Sequence, residues 1–319
     1  MDRTRIIGTG SYLPQKIVTN YDLEKIMETS HDWIAQRTGI HQRHVAAEDE
    51  FTSHMGIKAS QKAMIAANIQ AEDIDFIICA TTTPDLTFPA TAVRIQSSLG
   101  AKNAFAFDIQ AVCSGFIYAL SLADNFIRTG QCRRGLVIGA EKMSRILDWS
   151  DRGTAILFGD GAGAVVVEHT DDPTRGILST HLHSDGSLCD ILYTDGGAAT
   201  SDQVGKVRMV GREVFKHAVL KLVHAMSEAL ESNHLSSSDV DWFVPHQANE
   251  RIIDAVAERL NFPENKIIKT VRDHANTSAA SIPLALDWGV RQGKIKEGDL
   301  VLTDALGAGL SWGSALIRW

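Results

Sequence analysis

Of the four cysteines in the chain, Cys113 has the neighbours that suit chemistry. It follows the strand-like run Ala104-Phe-Ala-Phe-Asp-Ile109 and precedes the helix-like Phe116-Ile-Tyr-Ala-Leu120, so the spacing puts its sulfur at a helix N-terminus. Unpaired backbone N–H groups there carry partial positive charge and favour thiolate over thiol, which predicts a nucleophile. Gly115 permits a tight strand-to-helix turn that would present the sulfur to solvent. Cys79 sits within an apolar strand, and Cys132 and Cys189 lie in loop-like surroundings, so these three read as structural. His246 closes the run Trp242-Phe-Val-Pro245, and Asn276 follows Lys266-Ile-Ile-Lys-Thr-Val271. Taken alone, a strand-end histidine reads as a structural or capping residue. Together, a neutral imidazole and an amide can each donate a hydrogen bond to one developing enolate oxygen. Loss of carbon dioxide from a malonyl thioester requires that pair of donors.

An internal repeat supplies the elements that must bring these distant residues together. Asp73-Ile-Asp-Phe-Ile-Ile-Cys-Ala80 matches Asp239-Val-Asp-Trp-Phe-Val-Pro-His246 at an offset of 166 residues. Ala123-Asp-Asn-Phe-Ile-Arg-Thr-Gly130, ahead of Gly135-Leu-Val-Ile138, matches Leu286-Asp-Trp-Gly-Val-Arg-Gln-Gly293, ahead of Gly298-Asp-Leu-Val-Leu302, at 163. The second offset pairs Cys113-Ser-Gly115 with Asn276-Thr-Ser278, both expected at helix starts near a pseudo-twofold axis. Strands joined by crossover helices predict an α/β fold with parallel strands. The halves are expected at residues 1–172 and 173–319, joined by the short polar junction His169-Thr-Asp-Asp-Pro-Thr-Arg-Gly176. So short a junction predicts one five-layer body rather than two swinging domains.

Composition narrows the function classes. The 319 residues are 44% hydrophobic and 22% charged, which is globular, and the net charge of −8 with no run of Lys and Arg argues against a nucleic-acid partner. No N-terminal apolar stretch resembles a secretory signal and no segment approaches a membrane-spanning length, so a soluble cytoplasmic protein with reduced thiols is expected. Gly159-Asp-Gly-Ala-Gly163 lacks the spacing of a phosphate loop and is read as a turn. His181 and His183 with Cys189 lack an evident fourth ligand, so no metal is predicted. Asn276-Thr-Ser278 matches a glycosylation acceptor only by coincidence, given the expected compartment.

The chain resembles the β-ketoacyl-acyl carrier protein synthase III family, the initiating condensing enzymes of type II fatty-acid synthesis, over essentially its whole length. The resemblance rests on Ile7-Gly-Thr-Gly-Ser-Tyr-Leu-Pro14, Trp33-Ile-Ala-Gln-Arg-Thr-Gly-Ile40, Cys113-Ser-Gly-Phe116, Asp151-Arg-Gly-Thr154, Phe158-Gly-Asp-Gly-Ala-Gly163, Pro245-His-Gln-Ala-Asn249, His274-Ala-Asn-Thr-Ser-Ala-Ala280 and Trp312-Gly-Ser314. It implies a thiolase-like αβαβα sandwich and a decarboxylating condensation. Cys113 would take an acyl group from acyl-CoA, acetyl-CoA in the first instance, and malonyl-acyl carrier protein would then enter, both as substrates beside which no cofactor is needed. It further implies an oxyanion loop at Gly307, Ala308 and Gly309, and a CoA path over Thr29, Trp33, Arg37, Arg152, Gly211 and Asn249. Phe88 would close the primer pocket of a partner subunit, hence a homodimer, and Arg212, Lys216 and Arg251 would dock the acidic carrier. Two departures stand out: Ala308 and Ala275 occupy positions where the family usually has glycine. Arg251 and Arg259 are also interspersed with Glu250, Asp254 and Glu258, which weakens the expected basic face. The competing readings are a condensing enzyme with a specialised primer, a Cys-His-Asn thioester hydrolase, and a non-catalytic acyl-CoA binder.

Overall fold

A computed structural model describes residues 3–319. The first half runs β1 (Arg3–Tyr12), β2 (Lys16–Thr19), α1 (Asn20–Leu23), α2 (His31–Thr38), β3 (Gln42–Val45), α3 (Thr52–Ala67), β4 (Phe76–Ala80) and α4 (Thr91–Leu99). It continues through β5 (Phe105–Ile109), α5 (Gly115–Arg128), β6 (Arg134–Lys142), α6 (Arg152–Ala155) and β7 (Asp160–Thr170). Then follow β8 (Gly176–Ser184), β9 (Leu192–Thr194), β10 (Val207–Met209), α7 (Gly211–Ser232), β11 (Trp242–Pro245) and α8 (Glu250–Arg259). The chain ends with α9 (Val271–His274), α10 (Ser281–Arg291), β12 (Leu300–Gly307) and β13 (Ser311–Arg318).

Two sheets carry the fold, in the orders β1-β7-β6-β4-β5 and β11-β12-β13-β8. Reversed, the second order matches the first strand for strand, with the fifth position reduced to a single parallel bridge between Phe243 and Ile267. The expected strand around Ile267 is thus one bridge long. Both sheets are mixed rather than wholly parallel: β4 runs parallel to β5 and β6, and β11 to β12, while the remaining pairs are antiparallel.

The five layers follow from which faces are apolar. Met55, Ala59 and Ala63 of α3 and Ile95 of α4 pack on Ile77, Leu136, Ile138 and Val166 of the first sheet. Phe116, Leu120 and Ile127 of α5 and Ile282 and Leu286 of α10 fill the space between that sheet and Val244, Val301 and Ile317 of the second. Leu222, Met226 and Leu230 of α7, with Ile253 and Val256 of α8, cover the outer face of the second sheet over Phe243, Leu302 and Leu316. Each fully buried side chain of this size contributes about 2 kcal/mol.

The repeated sequences mark equivalent structural joints. Asp73 accepts from the Gln70 amide and Asp239 from the Ser236 amide, while Asp75 and Asp241 each receive amides from the neighbouring strand, Arg134 and Leu300 respectively. Gly130 and Gly293 end α5 and α10 at φ +73° and +66°. The offset falls from 166 to 163 because the stretch from Ala80 to Cys113 is three residues longer than that from His246 to Asn276, and the longer connection from Gly293 to β12 then restores 166 between the starts of β6 and β12. The Gly159–Gly163 segment is not a turn: β7 begins at Asp160. Its glycines serve close packing, since a Cβ on Gly163 would lie 2.6 Å from the Leu284 amide nitrogen at the start of α10.

Candidate active site

After β5 the chain turns through Ala111 into a short 3-10 turn, Val112–Ser114, that leads directly into α5. Cys113 therefore sits at the start of a fourteen-residue helix, as its neighbours predict. Val112 holds φ +49°, a costly conformation for a β-branched residue and a mark of a position fixed by its surroundings. Across from it, β12 ends in the Gly307-Ala308-Gly309 turn. A Cβ on Gly307 would lie 2.6 Å from the Ala111 carbonyl oxygen and 2.9 Å from the Cys113 nitrogen, so only glycine lets this turn lie against the Cys113 backbone.

The expected solvent-facing sulfur is buried instead. Cys113 is 5% exposed, and burial pushes its thiol up to about 12, against the opposing pull of the Ser278 hydroxyl. The helix start favours an anion, but the second half closes over the sulfur: Ala279 would meet a Cβ on Gly115 at 3.5 Å. Excluding water from the thiol disfavours its charged form, and the nearby Glu141 carboxyl acts in the same direction, both in opposition to the helix start.

His246 is the first residue beyond β11, and its amide donates to the Asp304 carbonyl at 2.9 Å. Nδ1 lies 2.5 Å from the Ser281 Oγ, which also accepts from the Gln247 amide at 3.3 Å. The Ser281 hydroxyl can donate to Nδ1 while accepting from Gln247, an arrangement that leaves the imidazole proton on Nε2. Burial lowers His246 to about 3, so the ring is neutral. Gln247 locks this strand end from below, donating to Pro245 and Ile268 carbonyls and accepting from the Thr270 and Val271 amides.

Asn276 is held by both backbone groups, donating to the Leu157 carbonyl at 2.9 Å and accepting from the Gly159 amide at 3.0 Å. Its Oδ1 accepts from the Ser278 amide at 2.8 Å, which turns the amide NH₂ into the free, donating end. Ala275 before it holds φ +58°, the counterpart in the second half of the strained Val112. The three residues converge on one segment: Cys113 faces Ser278, Asn276 bonds Ser278, and His246 bonds Ser281.

Sequence reasoning missed three partners. Besides Ser281 they are Asp304 and Glu141, both buried carboxyls raised by burial to about 7. Glu141 accepts from the Thr82 amide at 3.0 Å and the Thr83 hydroxyl at 2.7 Å, and its charge acts on Cys113. A lone acid closing the apolar run Leu136–Ala140 was the one available signal.

Where the resemblance expects the mouth of a CoA path, the guanidinium carbons of Arg37 and Arg152 lie 4.3 and 4.5 Å from the Trp33 ring centroid. Asn249 caps α8 and donates to the Arg37 carbonyl at 3.3 Å, which ties two more expected contacts together. The Thr29 hydroxyl is buried without a partner, and Gly211 is the exposed first residue of α7. Arg212 and Lys216 are exposed on the first turns of α7, and Arg251 stands 5.7 Å over the intervening Phe215. Phe88 is 82% exposed on the loop between β4 and α4.

Residues 107–186 match the family described as 3-oxoacyl-[acyl-carrier-protein] synthase III, and residues 230–319 match its C-terminal part. The β-ketoacyl-[acyl-carrier-protein] synthase III of Paramagnetospirillum magneticum is 58% identical over 320 residues, spanning 99% of each chain. Among solved structures, 3-oxoacyl-[acyl-carrier-protein] synthase III of Aquifex aeolicus is 49% identical with a TM-score of 0.95, covering 99% of this chain and 100% of that one. The β-ketoacyl-[acyl carrier protein] synthase III of Thermus thermophilus is 44% identical with a TM-score of 0.94, covering 99% of both. A thiol at a helix start, two neutral donors fixed on the opposing half and likeness along nearly the entire chain agree: it belongs to the 3-oxoacyl-acyl carrier protein synthase III family of condensing acyltransferases.

Proposed function

We propose that Cys113 accepts an acyl group from acetyl-CoA and that His246 and Asn276 then stabilise the enolate formed when malonyl-acyl carrier protein loses carbon dioxide. The condensation of acyl-CoA with a malonyl-carrier thioester is the family's reaction; the primer and the residue roles are the inference. The observation that carries the roles is geometric: a buried His246 with Nδ1 against the Ser281 hydroxyl, and an Asn276 whose Oδ1 is taken by the Ser278 amide, sit on the segment facing Cys113 with Nε2 and the amide NH₂ left to donate. Two uncharged donors suit an enolate oxygen, whereas a hydrolase would need a basic imidazole, and burial has removed that basicity here. At rest the site holds a thiol and an imidazole rather than an ion pair. Attack on the thioester carbonyl forms the bond from Cys113 sulfur to the acyl carbon and breaks the bond from that carbon to the CoA sulfur, and the Cys113 thiol proton passes to the departing CoA sulfur, so that CoA leaves as its thiol. The Cys113 amide and the glycine turn lying against it supply the donors for the oxyanion.

Arg152 and Trp33 part to admit the adenine, with Arg37, Thr29, Gly211 and Asn249 along the phosphate and pantetheine path. Carrier docking is assigned to Arg212, Lys216 and Arg251. A second copy of the chain covers Phe88 and the open edge strand β5, whose Phe105 is 41% exposed. The compartment is the cytoplasm; no helix among the described residues is long and apolar enough to cross a membrane.

Intact-protein mass spectrometry with acetyl-CoA and longer acyl-CoAs tests this reading. A single acyl adduct is expected on the native chain and none on Cys113→Ala, and malonyl-acyl carrier protein should discharge it as a β-ketoacyl product. Discharge by water alone would transfer the site to the hydrolase class, and a longer acyl-CoA loading fastest would replace acetyl-CoA as the primer.

A further inference from the structure

In the sequence, His181, His183 and Cys189 lack a fourth ligand; the fold sets Cys189 aside and brings His224 and Glu228 instead. β8 is the edge strand of the second sheet, and its alternate residues 181 and 183 face α7. From α7, His224 and Glu228, four apart, present their side chains to the same place. One ligand atom from each of His183, His224 and Glu228 lies within 4.8 Å of the other two. Glu228 is gripped at both oxygens: Oε2 is 2.6 Å from His183 Nε2 and Oε1 is 3.3 Å from His181 Nδ1. His181 is itself fixed by its other nitrogen, 3.0 Å from the Ser179 hydroxyl, which accepts from the Asn233 amide at 2.7 Å. The His183 ring stacks on Trp312 at 5.5 Å and meets His224 edge-on at 5.8 Å. Cys189 has no part in this group; it is exposed beside Asp190.

We propose that His183, His224 and Glu228 form a binding site for a divalent cation of the zinc class, with His181 orienting the carboxylate and water completing the shell. Two imidazoles and one carboxylate are a donor set suited to zinc, which prefers nitrogen over an all-oxygen shell. Ligand atoms around a tetrahedral zinc lie about 3.3 Å apart, so the group must draw in by about 1.5 Å at its widest, while the His183–Glu228 pair, now hydrogen-bonded at 2.6 Å, opens by about 0.7 Å as the cation replaces the shared proton. His224 is exposed and free to rotate inward, and the partner that orients a ligand is already present in His181. A cation here would pin β8 to α7. The chain continues from His183 into Asp185, whose backbone pairs both ways with Leu310 beside the glycine turn. The site is separate from the catalytic residues and does not depend on their roles.

The test is titration of chelator-treated protein with Co²⁺, reading its visible d–d absorption, followed by displacement with Zn²⁺ and thermal unfolding with and without Zn²⁺. One equivalent per chain is expected, with a rise in unfolding temperature, and the same spectrum in Cys113→Ser. His224→Ala changes an exposed residue and should fold normally yet weaken binding about 100-fold; Glu228→Gln should do the same. A d–d band that persists undiminished in both variants overturns the proposal. So does a band lost in Cys113→Ser, which would place the metal at the nucleophile, or the absence of stoichiometric binding.

Discussion

At the residue scale, burial favours the uncharged forms of both Cys113 and His246, which is the state the proposed mechanism uses. Ser281 is the positioning residue of the proposed mechanism: its Oγ lies 2.5 Å from Nδ1, and by donating there it would hold the His246 proton on Nε2, facing the enolate. Ser281→Ala should lower the condensation rate about tenfold, about 1.4 kcal/mol, with little change in KM and with acetyl transfer to Cys113 intact; stopped-flow acylation against steady-state condensation separates the two. A fall in acylation alone would contradict this role. Ala275 sits at φ +58° and ψ −162°, a region in which glycine is at ease and alanine is strained. Ala275→Gly is therefore expected to gain about 1 kcal/mol in chemical denaturation, less whatever its buried methyl returns.

At the element scale, α5 and α10 put their starts at the interface between the two sheets, and the strained Val112 and Ala275 are the corners that make this possible. The beginnings of α7 and α8 form the surface proposed to dock the carrier. Arg212, Lys216 and Arg251 gather there, while Glu250 and Asp254 turn to Lys269, at 3.2 and 2.7 Å. The acids that dilute the basic face in sequence are thus partly neutralised in space. Arg212→Glu with Lys216→Glu should raise KM for malonyl-acyl carrier protein about tenfold, with steep salt dependence, and leave acylation by acetyl-CoA unchanged. Equal loss of both steps would mean that these residues serve CoA instead.

At the scale of the whole molecule, closing two halves over one polar segment buries carboxyls that would rather be wet. An unfolded glutamate ionises near 4.5, whereas Glu141 in the fold does so only at about 7. Between those values the unfolded chain releases a proton that the folded one keeps, so stability falls as pH rises through this window and levels off above it. The difference corresponds to about 3 kcal/mol. His246, lowered to about 3, acts with the opposite sign, costing stability as pH falls below 6.5. Urea denaturation of native and Glu141→Gln proteins at pH 5 and pH 7.5 should show the variant losing less on the alkaline side. Parallel curves would remove Glu141 as the cause.

The linear sequence determined the five-layer fold, because a repeat of strand, turn and helix carries its own architecture wherever its apolar faces agree. It also picked out Cys113 and Asn276 through that repeat, since an offset within the chain becomes a symmetry in space. What it did not determine was electrostatic state or any partner brought by another element. The helix start at Cys113 pointed to a thiolate, but only packing of the opposing half decided how much water reaches the sulfur. Ser281, Glu141 and Asp304 look like ordinary residues in one dimension, as do His224 and Glu228 on a helix forty residues from His183 and His181. Burial and cross-strand contact are properties of the assembled core, so the ionisation of these groups and the company they keep were settled only by tertiary structure.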